Sequence, residues 1–273
     1  MIDEAKIQRL YDAPPPGSSA QDTMDRRAAL RLFASLASCP LCARASLAAE
    51  AHWSYEGPTG PDTWGGLDAA NKMCSIGSQE SPIDIVGPVD AIQAPLEISW
   101  PMRPDTIVNN GHTIQLNFSA GNTLTVGGRS YVLTQFHFHH PSEHLIGGER
   151  FAMEAHFVHA DGNDLAVIGV FMTPGRSDAA FNRIVSTMPI SEGPPLPANP
   201  TIDPNSFLPT QRGYYRYEGS LTTPPCSETV DWLVFSEPVA VARTDIESFA
   251  RLYPMNARPA QSRNRRFILH SAG

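Results

Sequence analysis

Positive charge is scarce in this 273-residue chain: 20 Lys and Arg against 28 Asp and Glu leave a formal net charge of −8. Only Lys6 and Lys72 are lysines. That balance excludes a phosphate-coating basic surface, so no nucleic-acid partner is expected. Charged residues make up 18%, below the roughly 25% usual for soluble domains, which excludes a coiled coil. The chain also lacks a membrane span, because its early apolar stretch is short and broken by Arg31 and Arg44. What is present is apolar content of 41%, too high for a disordered chain, and 25 Pro with 20 Gly, too many for a helical bundle.

The first 51 residues read as an address. Met24-Asp25-Arg26-Arg27 precedes an apolar stretch through Leu30, Phe33, Leu36 and Leu41, which closes at Ala49-Glu50-Ala51. A basic start, an apolar middle and a small-residue end are the physics of a secretory signal. The paired arginines resemble a twin-arginine signal, with Met24 a candidate true start. Leu36-Ala37-Ser38-Cys39 resembles a lipobox, which keeps a lipid-anchored form as the minor alternative to a periplasmic or secreted protein. Once Cys39 and Cys42 leave with the signal, Cys74 and Cys226 remain as an even pair, expected as a disulfide in an oxidising compartment. Closing that loop of about 150 residues is worth roughly 4–5 kcal/mol in the chain-entropy model.

Residues 52–273 read as one domain, mostly strands. Alternating runs recur at 114–118, 123–126, 131–139, 152–159, 165–172 and 230–235, separated by Gly-containing turns such as Asn110-Gly111 and Asp161-Gly162. Two stretches read as helices, 178–188 and 244–252, the second with Thr244 as its N-cap. The Pro-rich segment 193–209 reads as a surface loop.

Seven of the nine histidines lie between 112 and 159. On a strand, Gln135, His137 and His139 share one face while Phe136 and Phe138 enter a core on the other. A second strand places Glu154, His156 and Val158 on one face. If the two strands are neighbours, His156 completes a three-imidazole site with a carboxylate beside it. Three protein ligands with an open fourth position mark a catalytic zinc site, although ligand type alone leaves nickel, cobalt and copper open. His140-Pro141-Ser142-Glu143-His144 also fits an inverted zinc-protease signature, but that needs a helix where the period is two, Pro141 disfavours one and Gly147-Gly148 follows at once.

Several ordered motifs together resemble the α-class carbonic anhydrases, specifically the exported bacterial type. They are Trp53-Ser54-Tyr55, Ser81-Pro82-Ile83-Asp84, Asn109-Asn110-Gly111-His112, Gln135 to His139, Ser142-Glu143-His144, Glu154-x-His156, Gly219-Ser220-Leu221-Thr222-Thr223-Pro224-Pro225, Trp232 and Asn256-x-Arg258-Pro259-x-Gln261. Glu80 departs from the Gln common in the family, and Gln115 from the Asn of many animal members.

The resemblance implies a mainly β fold, one large twisted and mostly antiparallel sheet of about ten strands with short peripheral helices. It implies zinc on His137, His139 and His156, with Gln135, Glu154 and the Asn256 carbonyl orienting those rings. The implied reaction is reversible hydration of carbon dioxide to bicarbonate and a proton, by attack of zinc hydroxide. Thr222 would orient the nucleophile under the control of Glu143. Val158, Val167, Leu221, Thr222, Thr223, Val230 and Trp232 would form the substrate pocket. His112 would shuttle the proton, aided by Tyr55 and Asn110. The expected partner is a small-molecule substrate, with the chain a monomer or homodimer. A catalytically silent domain of the same fold and a zinc esterase are the alternatives; carbon dioxide hydration with sulfonamide inhibition separates them.

Overall fold

Runs in which apolar and polar residues alternate become strands of one sheet in the computed structural model, which describes residues 52–176 and 179–272. The export segment read over residues 1–51 lies outside the described residues. The principal strands are β1 (Thr106–Asn109), β2 (Ile114–Asn117), β3 (Thr123–Val126), β4 (Arg129–His139), β5 (Met153–Asp161), β6 (Asp164–Gly175), β7 (Tyr214–Gly219), β8 (Val230–Phe235), β9 (Val239–Ala242) and β10 (Leu269–Ser271). In space the order is β1-β2-β4-β5-β6-β8-β7-β10, with β3 beside β4 and β9 beside β6. Short pieces at Val89–Asp90, Glu97–Ser99 and Leu196–Pro197 bring the sheet to thirteen strands, more than the ten or so expected.

The sheet is mixed. Most pairings are antiparallel, but β6 runs parallel to both β8 and β9, and β10 runs parallel to Val89–Asp90. Parallel neighbours need long crossovers, and 54 residues separate the end of β6 from the start of β8. The run at 165–172, expected to alternate, does not: β6 is covered on both faces, so its residues are near-continuously apolar.

The two faces carry different cores. One buries Leu116, Leu133, Phe136, Phe138, Phe157, Ile168 and Phe207. The other buries Val167, Phe171, Val230, Trp232 and Val234. Strand β4 changes phase on the way: Tyr131 and Leu133 share a core with Phe136 and Phe138. The β4–β5 register shifts between Val158 and His159, which pair with Gln135 and Leu133. The β-bulge leaves Thr134 as the extra residue. Because of it, both ends of β4 bury apolar residues in the same core while Gln135, His137 and His139 share the opposite face.

The helices α1 (Trp64–Leu67), α2 (Met73–Ile76), α3 (Ala179–Thr187) and α4 (Arg243–Leu252) are short and peripheral. Thr244 is not the N-cap of α4. That position is Ala242, which makes no side-chain cap. Asp245 in the first turn instead accepts a hydrogen bond from Asn182 of α3 at 3.0 Å, and its charge suits the helix N-terminus. The Pro-rich segment is less of a loop than its composition implies: Ile202 and Phe207 are fully buried, and Phe207 packs against Phe136, Phe138 and Phe157.

Cys74 of α2 and Cys226 form a disulfide across 152 positions. It ties α2 to the loop that carries Thr222.

Candidate metal centre

Strand pairing brings the histidines together. His137 of β4 pairs directly with His156 of β5, and His139 with Glu154. The ring centroids of His137, His139 and His156 lie 4.9, 5.4 and 4.5 Å apart in the pairs 137–139, 137–156 and 139–156. One ring nitrogen from each falls within 4.8 Å of the other two.

The opposite nitrogen of each ring is occupied. His137 Nδ1 meets Gln135 Oε1 at 2.8 Å, His139 Nδ1 meets the Asn256 carbonyl at 2.7 Å, and His156 Nε2 meets Glu154 Oε1 at 2.9 Å. All three partners are acceptors, so each contacted nitrogen carries the proton. The free lone pairs are therefore on Nε2 of His137 and His139 and on Nδ1 of His156. Burial also keeps the rings neutral: it lowers His139 to about 4, holds His137 well below the usual range and lowers His156.

These residues fit a zinc ion. His139 Nε2 is buried and has no hydrogen-bond partner among the described residues, an expense a protein seldom carries for a purely structural ring. Glu143 Oε2 stands 3.5 Å from it and 3.8 Å from His156 Nδ1. His144, Glu154 and His156 also lie close enough to suggest a metal. Both His144 nitrogens are engaged, however, by Glu154 at 2.8 Å and by the Tyr217 hydroxyl at 2.6 Å, so that cluster has no free set of ligands.

Glu154 anchors the neighbourhood. Oε1 accepts from His156 and His144, and Oε2 accepts the backbone N–H groups of Glu143 and His144, each at 2.9 Å. Burial alone would raise this carboxyl; the His144 and His156 contacts outweigh it and hold Glu154 well below the usual carboxylate range. Gly169 makes the room, since a Cβ there would come within 2.9 Å of Glu154 Oε1. The sequence reading did not single out Gly169; a lone glycine within an apolar strand was the available signal.

Glu143 is fully buried. Burial pushes it up to about 7, against the pull of His156, the Thr222 hydroxyl and the Arg258 N–H. That N–H donates to Glu143 Oε1 at 2.8 Å. The Arg258 side chain is gripped in turn, by Glu80 at 2.6 Å and by the carbonyls of Ser81 and Cys74 at 2.8 and 3.3 Å. Thus Glu80, marked in the sequence only as a departure from a pattern, is the counter-ion of a buried guanidinium behind Glu143. Thr222 itself is buried, and hydrogen bonds from Leu221 N to Ser227 O and from Cys226 N to Thr223 O fold its loop.

An apolar patch adjoins the imidazoles. Val158 pairs with Val167, and Val167 with Trp232. Val230 joins them in one buried cluster, with Val158 and Leu221 packed against it. The Trp232 ring stands edge-on to His156 at 4.8 Å. Thr223 is half-buried beside Thr222.

His112 stands apart from the imidazole trio, half-buried and stacked on Trp53 at 3.7 Å. Tyr55 lies edge-on at 6.5 Å. Asn110 Oδ1 accepts the N–H groups of His112 and Thr113 at 3.0 and 2.9 Å, which fixes the turn. Burial and the His52 imidazole lower His112, and Glu192 pulls it back up.

The eukaryotic-type carbonic anhydrase family model matches residues 59–272. The chain is 38% identical over 250 residues to a carbonic anhydrase of Neisseria gonorrhoeae, covering 90% of this chain and 97% of that protein. It is 39% identical to one from Pectobacterium carotovorum, over 84% of this chain and 95% of that one. Among solved structures, the α-carbonic anhydrase of Thermovibrio ammonificans in complex with the inhibitor sulfanilamide superposes with a TM-score of 0.79 at 42% identity, covering 81% of this chain and all of that one.

Proposed function

The chain belongs to the α-class, eukaryotic-type carbonic anhydrase family, and from that premise we propose that it catalyses the reversible hydration of carbon dioxide to bicarbonate and a proton on a zinc ion held by His137, His139 and His156. The observation that carries this reading is the convergence of three neutral imidazoles, His139 and His156 buried and His137 half-buried, each with its outer nitrogen occupied by an acceptor.

When bound, zinc supplies a Lewis acid that makes a water acidic near neutrality, an effect for which carbonic anhydrase is itself the reference example. The chain's own residues do the rest. Gln135, Glu154 and the Asn256 carbonyl fix the tautomers and aim the lone pairs. Glu143, with one oxygen held by the Arg258 N–H, serves as the acceptor for a hydrogen bond from the Thr222 hydroxyl. The Thr222 oxygen is then left as an acceptor, which orients the oxygen nucleophile by its own O–H. The patch of Val158, Val167, Leu221, Val230 and Trp232 suits a small apolar substrate, and Thr223 borders it. His112 takes the outgoing proton to solvent, with Tyr55 and Asn110 shaping the route.

The disulfide supports an oxidising compartment, and with the sequence of residues 1–51 it favours a periplasmic or secreted enzyme. No helix among the described residues is long and apolar enough to cross a membrane.

Stopped-flow hydration of carbon dioxide by the purified chain tests the reading. The wild type is expected to be active. His112→Ala in weak buffer is expected to lose turnover by about tenfold or more, and added imidazole is expected to restore it. An inactive, zinc-loaded wild type would overturn the function, and a His112→Ala loss that imidazole does not restore would overturn the shuttle.

A further inference from the structure

Segment 189–193 follows α3 and runs along the turn that presents His112. Asn109 Nδ2 donates to the Pro189 carbonyl at 3.1 Å, and Gly193 N donates to the Asn109 carbonyl at 3.2 Å. Glu192 is thus pinned on both sides. Its carboxylate closes on Gly111: a Cβ there would stand 3.0 Å from Glu192 Oε2 and 3.1 Å from its carboxyl carbon. Gly111 has φ +86°, a left-handed conformation that favours glycine, and its N–H is held by Asn109 Oδ1 at 3.0 Å. The carboxylate therefore stands one residue from His112, against a turn that cannot easily move away.

The titratable groups facing His112 are His52, with its ring centroid 5.7 Å away, Tyr55 at 6.5 Å and Glu192. Two influences oppose a positive imidazolium there, namely burial and the neighbouring His52 ring. Glu192 is the one negative group among the three. A proton carrier must pass through its charged form on each cycle and works best when both forms are populated near the working pH.

We propose that Glu192 is a positioning residue of the proton exit, its carboxylate held against the 109–112 turn so that it stabilises the His112 imidazolium during each transfer. The proposal rests on the shuttle reading of His112. Only a proton moves: it arrives on the His112 ring, giving the imidazolium, and leaves to a buffer base, regenerating neutral His112.

The test is a charge series at one exposed position, Glu192→Gln and Glu192→Lys in the full chain, read in two ways. The His112 titration midpoint, followed by NMR and assigned with His112→Ala, is expected to fall by about half a pH unit for Gln and roughly twice that for Lys. Turnover at saturating carbon dioxide in weak buffer is expected to fall about two- to threefold for Gln at neutral pH, with kcat/KM kept. Both effects should shrink at high salt, and the turnover effect should vanish in a His112→Ala background. A His112 midpoint that is the same with Glu, Gln and Lys overturns the proposal alone. Equal losses of turnover with and without His112 also overturn it. A His112→Ala variant that turns over at the wild-type rate overturns the shuttle reading, and this proposal falls with it.

Discussion

His139→Ala is expected to purify without zinc and to lose carbon dioxide hydration by at least about four orders of magnitude. The ring is 1% exposed, its Nδ1 is committed to the Asn256 carbonyl, and its Nε2 has no hydrogen-bond partner among the described residues. On the proposed zinc site, removing it takes away one of three ligands and leaves His137 and His156 as a pair too weak to hold the ion. Deleting a buried ring also leaves a cavity, so the variant is compared with His139→Gln, which fills most of the space yet cannot present an imidazole lone pair. Metal content by mass spectrometry and circular dichroism separate ligand loss from misfolding. A folded, zinc-free His139→Gln protein with wild-type activity would refute the metal assignment.

The second large effect is expected at Glu143. Because the Arg258 N–H requires an acceptor at Oε1, Glu143→Gln places its amide oxygen there and turns its NH2 toward Thr222. The NH2 donates, so the Thr222 O–H loses its acceptor on residue 143 and is released to point at the nucleophile as a donor instead of leaving the oxygen to accept from it. We expect kcat to fall by about 10²–10³ with KM little changed, the pattern of an interaction made in the transition state. Thr222→Ala should lose a similar amount, and Glu143→Gln with Thr222→Ala should be no worse than either alone, because the pair acts as one unit. Stopped-flow kinetics on the three variants check this. Additive losses would show that Glu143 and Thr222 act independently.

Much of the site was legible because its residues lie on strands with period two. Gln135, His137 and His139 share a face by spacing alone, as do Glu154, His156 and Val158, and the structure pairs the two strands directly. Other features depend on partners far apart in sequence, which periodicity cannot report. Glu80 and Arg258 meet across 178 positions, and Tyr217 and Ser81 across 136. The bulge at Thr134 reverses the phase of β4, so an alternation read from residue 131 would put Tyr131 and Leu133 on the wrong face. The parallel pairing of β6 with β8 depends on a long crossover rather than on local pattern. Phe207 was hidden among prolines, whose turn signals outweighed one aromatic side chain that the core needed.

Anomalous diffraction at the zinc edge on crystals of the purified protein tests the central claim most directly. The account predicts one strong peak bonded to Nε2 of His137, Nε2 of His139 and Nδ1 of His156, with Glu143 outside bonding distance. A peak among His144, Glu154 and His156 instead, or full activity in crystals with no peak at all, would contradict it.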